Sequence, residues 1–227
     1  MHKLSFIIPT LNEEEYFTQQ QPFLQSLLQQ GHEIIVVDGG STDKSVITAK
    51  SIGCICISTK PSRGYQLRVG AEKSTYPILV FMHADTTLPS SGIDSILKVM
   101  STHKVDWGRF NVVFTNQKYI FKIIAWFMNK RSCLSGIVTG DHTLFVKRST
   151  YFERGGFSDI PIMEDIEFSK RLKKYSHPAC LNETVTTSSR RWEQQGVIKT
   201  IILMWRLRIL FYFGVPVEKL AKQYYSS

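Results

Sequence analysis

Apolar residues follow two spacings along residues 1–90. Short runs that are apolar throughout predict buried strands at residues 4–8, 34–37, 54–58 and 78–82. Between these runs, apolar positions recur every three or four residues, which predicts helices at about residues 12–30, 42–51 and 64–73. Buried strands that alternate with helices are typical of a parallel sheet covered on both faces. The sequence therefore predicts an α/β fold with a mostly parallel central sheet flanked by helices.

The pattern of residues 91–227 is less regular. It predicts helices at residues 94–100, 119–128, 164–175 and 197–213, and strands at 107–114 and 143–146. No linker rich in Pro, Gly or Ser divides the chain, and 227 residues are enough for one large core. We therefore expect a single domain over residues 1–227.

The net charge of +9 lies entirely in the second half of the chain. Residues 1–117 carry 10 basic and 10 acidic side chains, whereas residues 118–227 carry 18 basic and 9 acidic ones. This asymmetry indicates an anionic partner, either phosphates, nucleic acid or an anionic membrane surface, or else a solvated basic face. Because neither an RNA-recognition motif nor a helix-turn-helix signature is found, we expect no nucleic-acid partner.

The cysteine pattern and the start of the chain favour a reduced, cytoplasmic protein. Cys54, Cys56, Cys133 and Cys180 form no C-x-x-C pair and no zinc-binding spacing, and the first two alternate within an apolar run that predicts a buried strand. The chain begins directly with a strand pattern and lacks the long apolar stretch of a signal peptide. No apolar run reaches the roughly eighteen residues that a spanning helix needs.

Polar clusters follow three of the predicted strands, at residues 10–13, 38–41 and 83–85. Ligands bind at the carboxyl ends of the strands in such sheets, so we expect the clusters to converge on one site. His83 and Asp85 would point the same way on a strand, and they are candidate ligands for Mn²⁺ or Mg²⁺, hard ions that also bind phosphate oxygens. The alternative is that Asp85 caps a turn.

Asp38 and Gly39 admit two interpretations. The carboxylate can accept a hydrogen bond from a base or a ribose while the glycine lets a ligand approach the backbone, or the pair forms an ordinary strand-to-helix turn. Arg63 and Gln66 precede or begin a helix and are candidate contacts for phosphate, donor or metal-bound groups. The alternative for Arg63 is a solvated arginine.

Two later groups are further candidates for chemistry. Glu164 and Asp165 open a predicted helix, where the helix dipole favours carboxylates, and such a carboxylate can also take the proton of an acceptor hydroxyl. Arg191 and Trp192 can clamp a diphosphate and shield it from water, with a basic loop as the alternative. No dinucleotide-binding or P-loop glycine motif is present.

In their order along the whole chain, these segments resemble family-2 glycosyltransferases of the GT-A (Rossmann-like) fold, closest to a compact bacterial subgroup whose metal motif reads His-Ala-Asp. The segments that carry the resemblance are residues 6–13, 36–43, 64–71, 81–86, 155–157, 164–165 and 190–192. The resemblance implies transfer of a sugar from a UDP- or GDP-sugar to a hydroxyl acceptor, with inversion and with Mn²⁺ or Mg²⁺. Residues 1–90 would bind the donor, and residues 91–227 would hold the acceptor and the catalytic base.

The resemblance also implies roles for single residues. Thr10, Glu13 and Asp38 would hold the nucleoside with Arg63 near the base or phosphates, and Asp85 would bind the metal beside His83. Asp165 would be the general base with Glu164 beside it, and Arg191 and Trp192 would cover the diphosphate. The other substrate-binding candidates are Asn12, Gly39, Gln66 and Asp141. Because His83 stands where such motifs usually carry Asp, the alternative function is a non-catalytic sugar-nucleotide-binding protein.

The segment 197–217 predicts a peripheral membrane contact. It combines Trp205, Phe211 and Tyr212 with three cations, as expected of a helix that lies on the inner face of a bilayer. A lipid or lipid-linked acceptor would suit such a location. The alternative, which we favour, is a buried amphipathic helix of the core.

Overall fold

The computed structural model describes residues 3–102 and 104–225. The strands are β1 (Leu4–Thr10), β2 (Glu33–Asp38), β3 (Ile55–Ser58), β4 (Ile78–Phe81), β5 (Thr86–Thr87), β6 (Trp107–Phe114), β7 (Leu144–Lys147) and β8 (Ala179–Thr187). The helices are α1 (Glu14–Gln29), α2 (Ser45–Ile52), α3 (Arg63–Lys73), α4 (Gly92–Met100), α5 (Tyr119–Ser135), α6 (Arg148–Glu153), α7 (Glu164–Leu172), α8 (Arg190–Gln195), α9 (Val197–Tyr212) and α10 (Val217–Tyr225), with a 3₁₀ turn at Gly140–His142.

The strands form one curled sheet in the order β3-β2-β1-β4-β7-β6-β8-β5. β1 pairs in parallel with β2 and β4, and β2 pairs in parallel with β3. β7 is antiparallel to both of its neighbours, β4 and β6, whereas β6 and β8 are parallel. The predicted single α/β domain with a sheet flanked by helices is confirmed, and three of its parallel strand pairs are built from the first ninety residues.

β1 shows why the first strands are apolar throughout. Phe6 and Ile8 belong to a core cluster on one face of the sheet, together with Leu24 of α1. The residue between them, Ile7, belongs to the cluster on the other face, together with Leu67 of α3. Since successive residues of a strand point to opposite faces, a strand covered on both sides is apolar at most positions. The buried polar residue Ser5 of β1 donates a hydrogen bond to Glu33 of β2.

The strand at the sheet edge differs from its prediction. β3 was expected to be buried, but Ile55 is 49% exposed and Cys56 is only partly buried, although Cys54 just before the strand is buried. β3 pairs only with β2 among the described strands, so its outer edge has no covering strand. α2 also begins at Ser45, three residues later than predicted, because the preceding residues form a loop described below.

Two expectations about the second half are wrong. α9 is not a buried core helix, since only Thr200 and Leu207 of its sixteen residues are buried. The expectation of four reduced cysteines also fails, because Cys133 of α5 and Cys180 of β8 form a disulfide bond. Within the residues that the structure describes, no helix has both the length and the apolar composition needed to cross a membrane.

Candidate active site

The polar clusters predicted at the strand ends meet at the carboxyl edge of β1, β2 and β4. Three non-glycine residues with a left-handed backbone stand in or beside this region: Asn12 (φ 56°), Thr143 (φ 49°) and Met163 (φ 64°). Such conformations cost about 1–3 kcal/mol each and persist only where the surrounding structure imposes them. Their concentration beside the candidate residues makes this edge the candidate functional one.

Gln66 joins the ends of the two neighbouring strands. Its Nε2 donates to the carbonyl oxygens of Thr10 (3.0 Å) and Val37 (2.7 Å), and Gly39 N also donates to the Thr10 carbonyl (2.9 Å). The Gln66 side chain is buried, and it lies against the Cα of Gly39, where a side chain would crowd it. Gln66 and Gly39 therefore fix the floor of the site, a positioning role that sequence patterns alone did not distinguish from ligand binding.

Asp38 and Asn12 hold the loop that follows β2. The Asp38 carboxylate accepts hydrogen bonds from the backbone N–H groups of Gly40 and Ser41, both at 3.0 Å. Asn12 Oδ1 accepts from Thr42 N at 2.8 Å, and Ser41 Oγ accepts from Asn12 N at 2.9 Å. These bonds explain why α2 starts late, and they leave both residues at the edge of the site with their acceptors engaged by the loop.

Glu13 and Asp85 form an acidic pair between two arginines. Burial, together with the charge of Asp85, raises the pKa of Glu13 to about 7, with Arg190 and Arg63 opposing. Burial also raises the pKa of Asp85, whose Oδ1 accepts a bond from Thr86 Oγ1 at 3.2 Å. β4 ends at Phe81, so His83 and Asp85 stand in the following turn rather than on the strand as expected.

Gly140 connects the His83 turn to the start of α7. A Cβ built on Gly140 would lie 2.1 Å from both Cε1 and Nε2 of His83, so only glycine leaves room for the imidazole. The N–H of Gly140 donates to Asp165 Oδ2 at 2.7 Å, and Ile166 N donates to Asp165 Oδ1 at 2.7 Å. The predicted metal motif and the predicted base, separated by eighty residues, therefore meet across one glycine.

Asp141 is a further buried carboxylate that interacts with both Asp85 and Asp165. Burial, together with the charges of these two aspartates, raises the pKa of Asp141 to about 7, with Arg63 and Arg208 opposing. Two arginines that were not among the sequence candidates lie near Asp141 and Asp165: Arg131 of α5 and Arg208 of α9. In the sequence Arg208 is visible only as a charge that interrupts an apolar helix, which is a weak signal on its own.

Glu164 is buried beside Asp165 at the start of α7. Its side chain is 1% exposed, its Oε1 has no hydrogen-bond partner, and the nearest cation is Arg63, whose Nε lies 3.8 Å from Oε1. Burial and the charge of Asp165 hold the pKa of Glu164 well above its usual range, with Arg63 opposing. Tyr225 of α10 also lies near this carboxyl.

The substitution Glu164→Gln is expected to change the pH dependence of stability. The folded-state pKa of Glu164 lies above the unfolded value near 4.5, so its stabilising contribution is complete below that value and is lost as the pH rises through the folded-state pKa. Glutamine stays neutral, so the variant should gain free energy of unfolding relative to wild type between about pH 5 and about pH 9. Urea unfolding at several pH values measures this difference.

The matched control for this prediction is Glu153→Gln, because the Glu153 side chain is 63% exposed. The control and wild type should show parallel pH profiles. If the profile of Glu164→Gln is also parallel to that of wild type, the Glu164 carboxyl is not held neutral by its surroundings.

Arg191 and Trp192 are occupied by contacts within the chain. Arg191 Nη2 donates to the Tyr224 carbonyl at 2.6 Å, and its guanidinium lies 3.7 Å from the centre of the Tyr224 ring. Trp192 packs edge-on against Phe114 at 5.6 Å. A cavity of about 380 Å³ lies beside these residues, lined in part by Ser188, Ser189 and Arg190. α10 thus covers the arginine that was predicted to bind a diphosphate.

The donor set around Asp85 fits a Mg²⁺ or Mn²⁺ ion that also binds a phosphate. In the described part of the chain no group of three His, Cys, Asp or Glu side chains is arranged to hold a metal. Mg²⁺ is usually bound by one or two carboxylates, several waters and substrate phosphates, so a single buried carboxylate suffices. Burial and Arg63 lower the pKa of His83 to about 3, which keeps its imidazole neutral, as a metal ligand must be.

Solved structures of nucleotide-sugar enzymes share this fold. Glucosyl-3-phosphoglycerate synthase from Mycobacterium tuberculosis, in complex with Mg²⁺ and UDP, matches with a TM-score of 0.64 and 16% identity over 95% of this chain and 80% of that one. Mannosyltransferase PcManGT from Pyrobaculum calidifontis, in complex with GDP-Man and Mn²⁺, matches with a TM-score of 0.59 and 16% identity over 82% of this chain and 56% of that one.

S. aureus TarS 1-349, in complex with UDP, matches with a TM-score of 0.65 and 16% identity over 82% of this chain. This chain spans 60% of that TarS fragment, and 65% of a mycobacterial protein that also matches. At these identities the likeness shows the fold. A search of curated proteins found no significant match.

Comparison with sequence families is more specific. Residues 5–156 match Glycosyl transferase family 2, a segment that runs from β1 through the Gly140 turn to the glycine pair after α6. It includes most of the carboxylates and the histidine described above, and it ends before Glu164 and Asp165. The match covers well over half of the chain, and the fold agrees with it. The chain therefore belongs to glycosyl transferase family 2.

Proposed function

We propose that this glycosyltransferase moves a sugar from a UDP- or GDP-sugar to a hydroxyl acceptor by direct displacement, with Asp165 as the general base. The observation that carries the proposal is the junction at Gly140, which brings the His83–Asp85 turn against Asp165. A donor diphosphate held at Asp85 would place its anomeric carbon near a carboxylate that can accept the acceptor's proton. This arrangement suits an inverting reaction, in which the acceptor attacks opposite the leaving diphosphate.

The residues of the site have separate tasks in this proposal. A divalent metal held by Asp85 and His83 would stabilise the negative charge of the departing diphosphate. Arg63 and Arg190, which act on Asp85 and Glu13, add positive charge on the same side. Asp165, fixed by two backbone N–H groups, is oriented before the acceptor arrives, so little reorganisation is needed when it takes the proton.

The donor-binding half is assigned to residues 1–90 and the acceptor-binding half to residues 91–227. The donor classes follow from the ligands named for the similar structures, which are UDP and GDP-Man. Thr10, Asn12, Glu13, Asp38 and Gly39 line the edge that would receive the nucleoside. For the acceptor we favour a lipid or lipid-linked hydroxyl, because the arginines Arg131 and Arg208 approach Asp165 from the two helices with the most exposed apolar residues.

The proposal is tested by incubating the purified protein with UDP- and GDP-sugars, with and without Mn²⁺. A ligand that binds only the folded state raises the melting temperature, so one donor class should do so in a metal-dependent way. Release of the nucleoside diphosphate, to water or to an added acceptor, then reports turnover. A donor that binds but is never turned over would favour the non-catalytic sugar-nucleotide-binding function instead.

The substitution Gly140→Ala is expected to disturb the junction. The added methyl group would overlap the His83 ring, so the variant should lose about 1–3 kcal/mol of stability through overpacking. Displacement of the Asp165 partner should also slow turnover about 10²-fold. Urea unfolding and the turnover assay measure the two effects.

A double-mutant cycle separates this contact from other causes. In a His83→Ala background the clash is removed, so Gly140→Ala should cost much less stability there. An equal cost in both backgrounds would show that the imidazole is not what requires glycine at this position.

A further inference from the structure

The outward side of α9 is apolar although it faces solvent. Its exposed residues recur at intervals of four, three, four and three, which places them on one face of the helix. They are between 50% and 76% exposed: Ile198, Ile202, Trp205, Ile209 and Tyr212. The opposite side contacts the domain through the buried residues Thr200 and Leu207. This face of the helix is therefore mostly exposed to solvent, and the one cation–π contact found on it in the described part of the chain joins Lys170 to Tyr212, with Nζ 5.7 Å from the ring centre.

α5 has a similar outward side. Its exposed apolar residues are between 42% and 82% accessible: Tyr119, Ile120, Trp126, Phe127 and Leu134. The rings of Trp126 and Phe127 contact each other edge to face at 4.9 Å, so they form one aromatic projection. Phe121, Ile124 and Ala125 on the inward side are buried.

The two helices are neighbours. The buried residues Phe121, Ile124 and Ala125 of α5 pack against Val197 and Ile201 near the start of α9. Arg131 and Arg208, nearer the other ends of the same helices, also lie close enough for their charges to interact. α5 and α9 therefore approach each other at two points along their lengths. Their outward residues, the ten named above, are together called the α5–α9 face.

The charges on these helices are of one sign. α5 contains Lys122, Lys130 and Arg131, α9 contains Lys199, Arg206 and Arg208, and neither helix contains an acidic residue. The two lysines of α5, together with Lys199 and Arg206, are exposed, and no ion pair within 4.0 Å is found for them in the described residues. A surface with exposed apolar and cationic side chains is complementary to a partner whose apolar interior is covered by a negatively charged layer.

We infer that the α5–α9 face docks on the surface of an anionic lipid bilayer. Trp126, Trp205, Tyr119 and Tyr212 are the residue types that lie at the boundary between headgroups and acyl chains. The lysines would reach the headgroups while their methylene stems cover apolar surface. A surface of this kind lies on the membrane without crossing it, in agreement with the lengths of the described helices.

Charge favours the bilayer over a second copy of the chain. Two α5–α9 faces brought together would oppose cations to cations, and neither would offer a carboxylate to pair with them. The docking surface is independent of the sugar-transfer proposal, although it would bring Arg131, Arg208 and Asp165 close to a membrane-bound acceptor.

Vesicle flotation tests the inference with the full-length protein. Wild type should float with vesicles of equal phosphatidylcholine and phosphatidylglycerol, and should float much less with phosphatidylcholine alone or at high salt. Ile202→Ser/Trp205→Ser should abolish flotation, and because both positions are more than half exposed, the variant should keep its melting temperature. Lys122→Glu/Lys199→Glu should weaken partitioning about tenfold or more.

Control variants change one exposed isoleucine and two exposed lysines elsewhere on the surface. Ile47→Ser alters an isoleucine that is 69% exposed on α2, and Lys50→Glu/Lys104→Glu makes the same change of net charge. Both controls should float as wild type does. Wild type that stays at the bottom with anionic vesicles, or controls that fail as completely as the face variants, would overturn the inference.

Two further measurements separate the remaining explanations. Light scattering of the free protein should show a monomer, and a dimer that Ile202→Ser/Trp205→Ser dissociates would mean that a second copy covers the face. Asp165→Asn should float as wild type does. If flotation succeeds and donor turnover is never found, the membrane inference stands while the proposed function fails.

Discussion

Asp165→Asn is expected to slow sugar transfer by about 10²–10⁴-fold while leaving the affinity for the donor within about twofold of wild type. An amide cannot accept the proton of the attacking hydroxyl, but it has nearly the shape of the carboxylate and keeps an oxygen for the Gly140 N–H group. The base acts in the chemical step, so its loss should lower kcat without raising KM for the donor. Nucleoside diphosphate release and calorimetric titration of the donor measure the two quantities.

Asp94→Asn is the matched control for this variant. Asp94, like Asp165, is an acidic residue in the first turn of a nine-residue helix, but it is exposed on α4. Both substitutions remove a favourable interaction with a helix dipole, worth about 0.3–1 kcal/mol, so a general loss of stability would affect both. Wild-type kcat in Asp165→Asn would exclude Asp165 as the base and make Asp141 the next candidate.

Asp85→Ala is expected to abolish the metal-dependent rise in melting temperature that the donor causes, and to slow transfer by about 10³-fold. Asp85 is the carboxylate of the His83–Asp85 turn. It is buried there, and the charges of Arg63 and Arg190 act on it. Without it the metal would have only the imidazole and the phosphates as ligands. Thermal unfolding with Mn²⁺ alone, with donor alone and with both separates the loss of metal from the loss of donor.

The control for Asp85→Ala is Asp94→Ala, which deletes a carboxylate of the same size from the exposed side of α4. It should keep the full metal-dependent shift. A donor-induced shift in Asp85→Ala that equals that of wild type, both with and without Mn²⁺, would exclude Asp85 as the metal ligand.

The first half of the fold could be predicted from the sequence because β1, β2 and β4 are covered on both faces, so most of their positions are apolar. The same logic failed for β3, since an edge strand with Ile55 exposed can look as apolar as a central one. β8 was missed because only Val185 and Thr187 of its nine residues are buried and because it includes Asn182, Glu183 and several threonines. Its place in the sheet is fixed by pairing with β6 rather than by local composition.

The candidate site was predictable only as far as topology determines it. Parallel strands bring residues 10–13, 38–41 and 83–85 to one edge, and the structure has them there. The close approach of Gly140 to His83 depends on how separate segments pack, so no spacing of apolar residues in the sequence predicts it. The approach of Arg208 to Asp165 is of the same kind. For Asp38 the sequence predicted the position but not the role, because an aspartate serves equally well in a turn and in ligand recognition.

If Arg191 binds the donor diphosphate, as the family resemblance implies, its contact with Tyr224 makes α10 a competitor of the donor. A diphosphate that takes the guanidinium must displace both the Tyr224 carbonyl and its ring. The measured dissociation constant would then equal the intrinsic one divided by the fraction of molecules in which α10 has released Arg191. Each 1.4 kcal/mol that holds α10 in place would weaken the apparent affinity about tenfold, so residues far from the sugar would help to set the donor concentration at which the enzyme works.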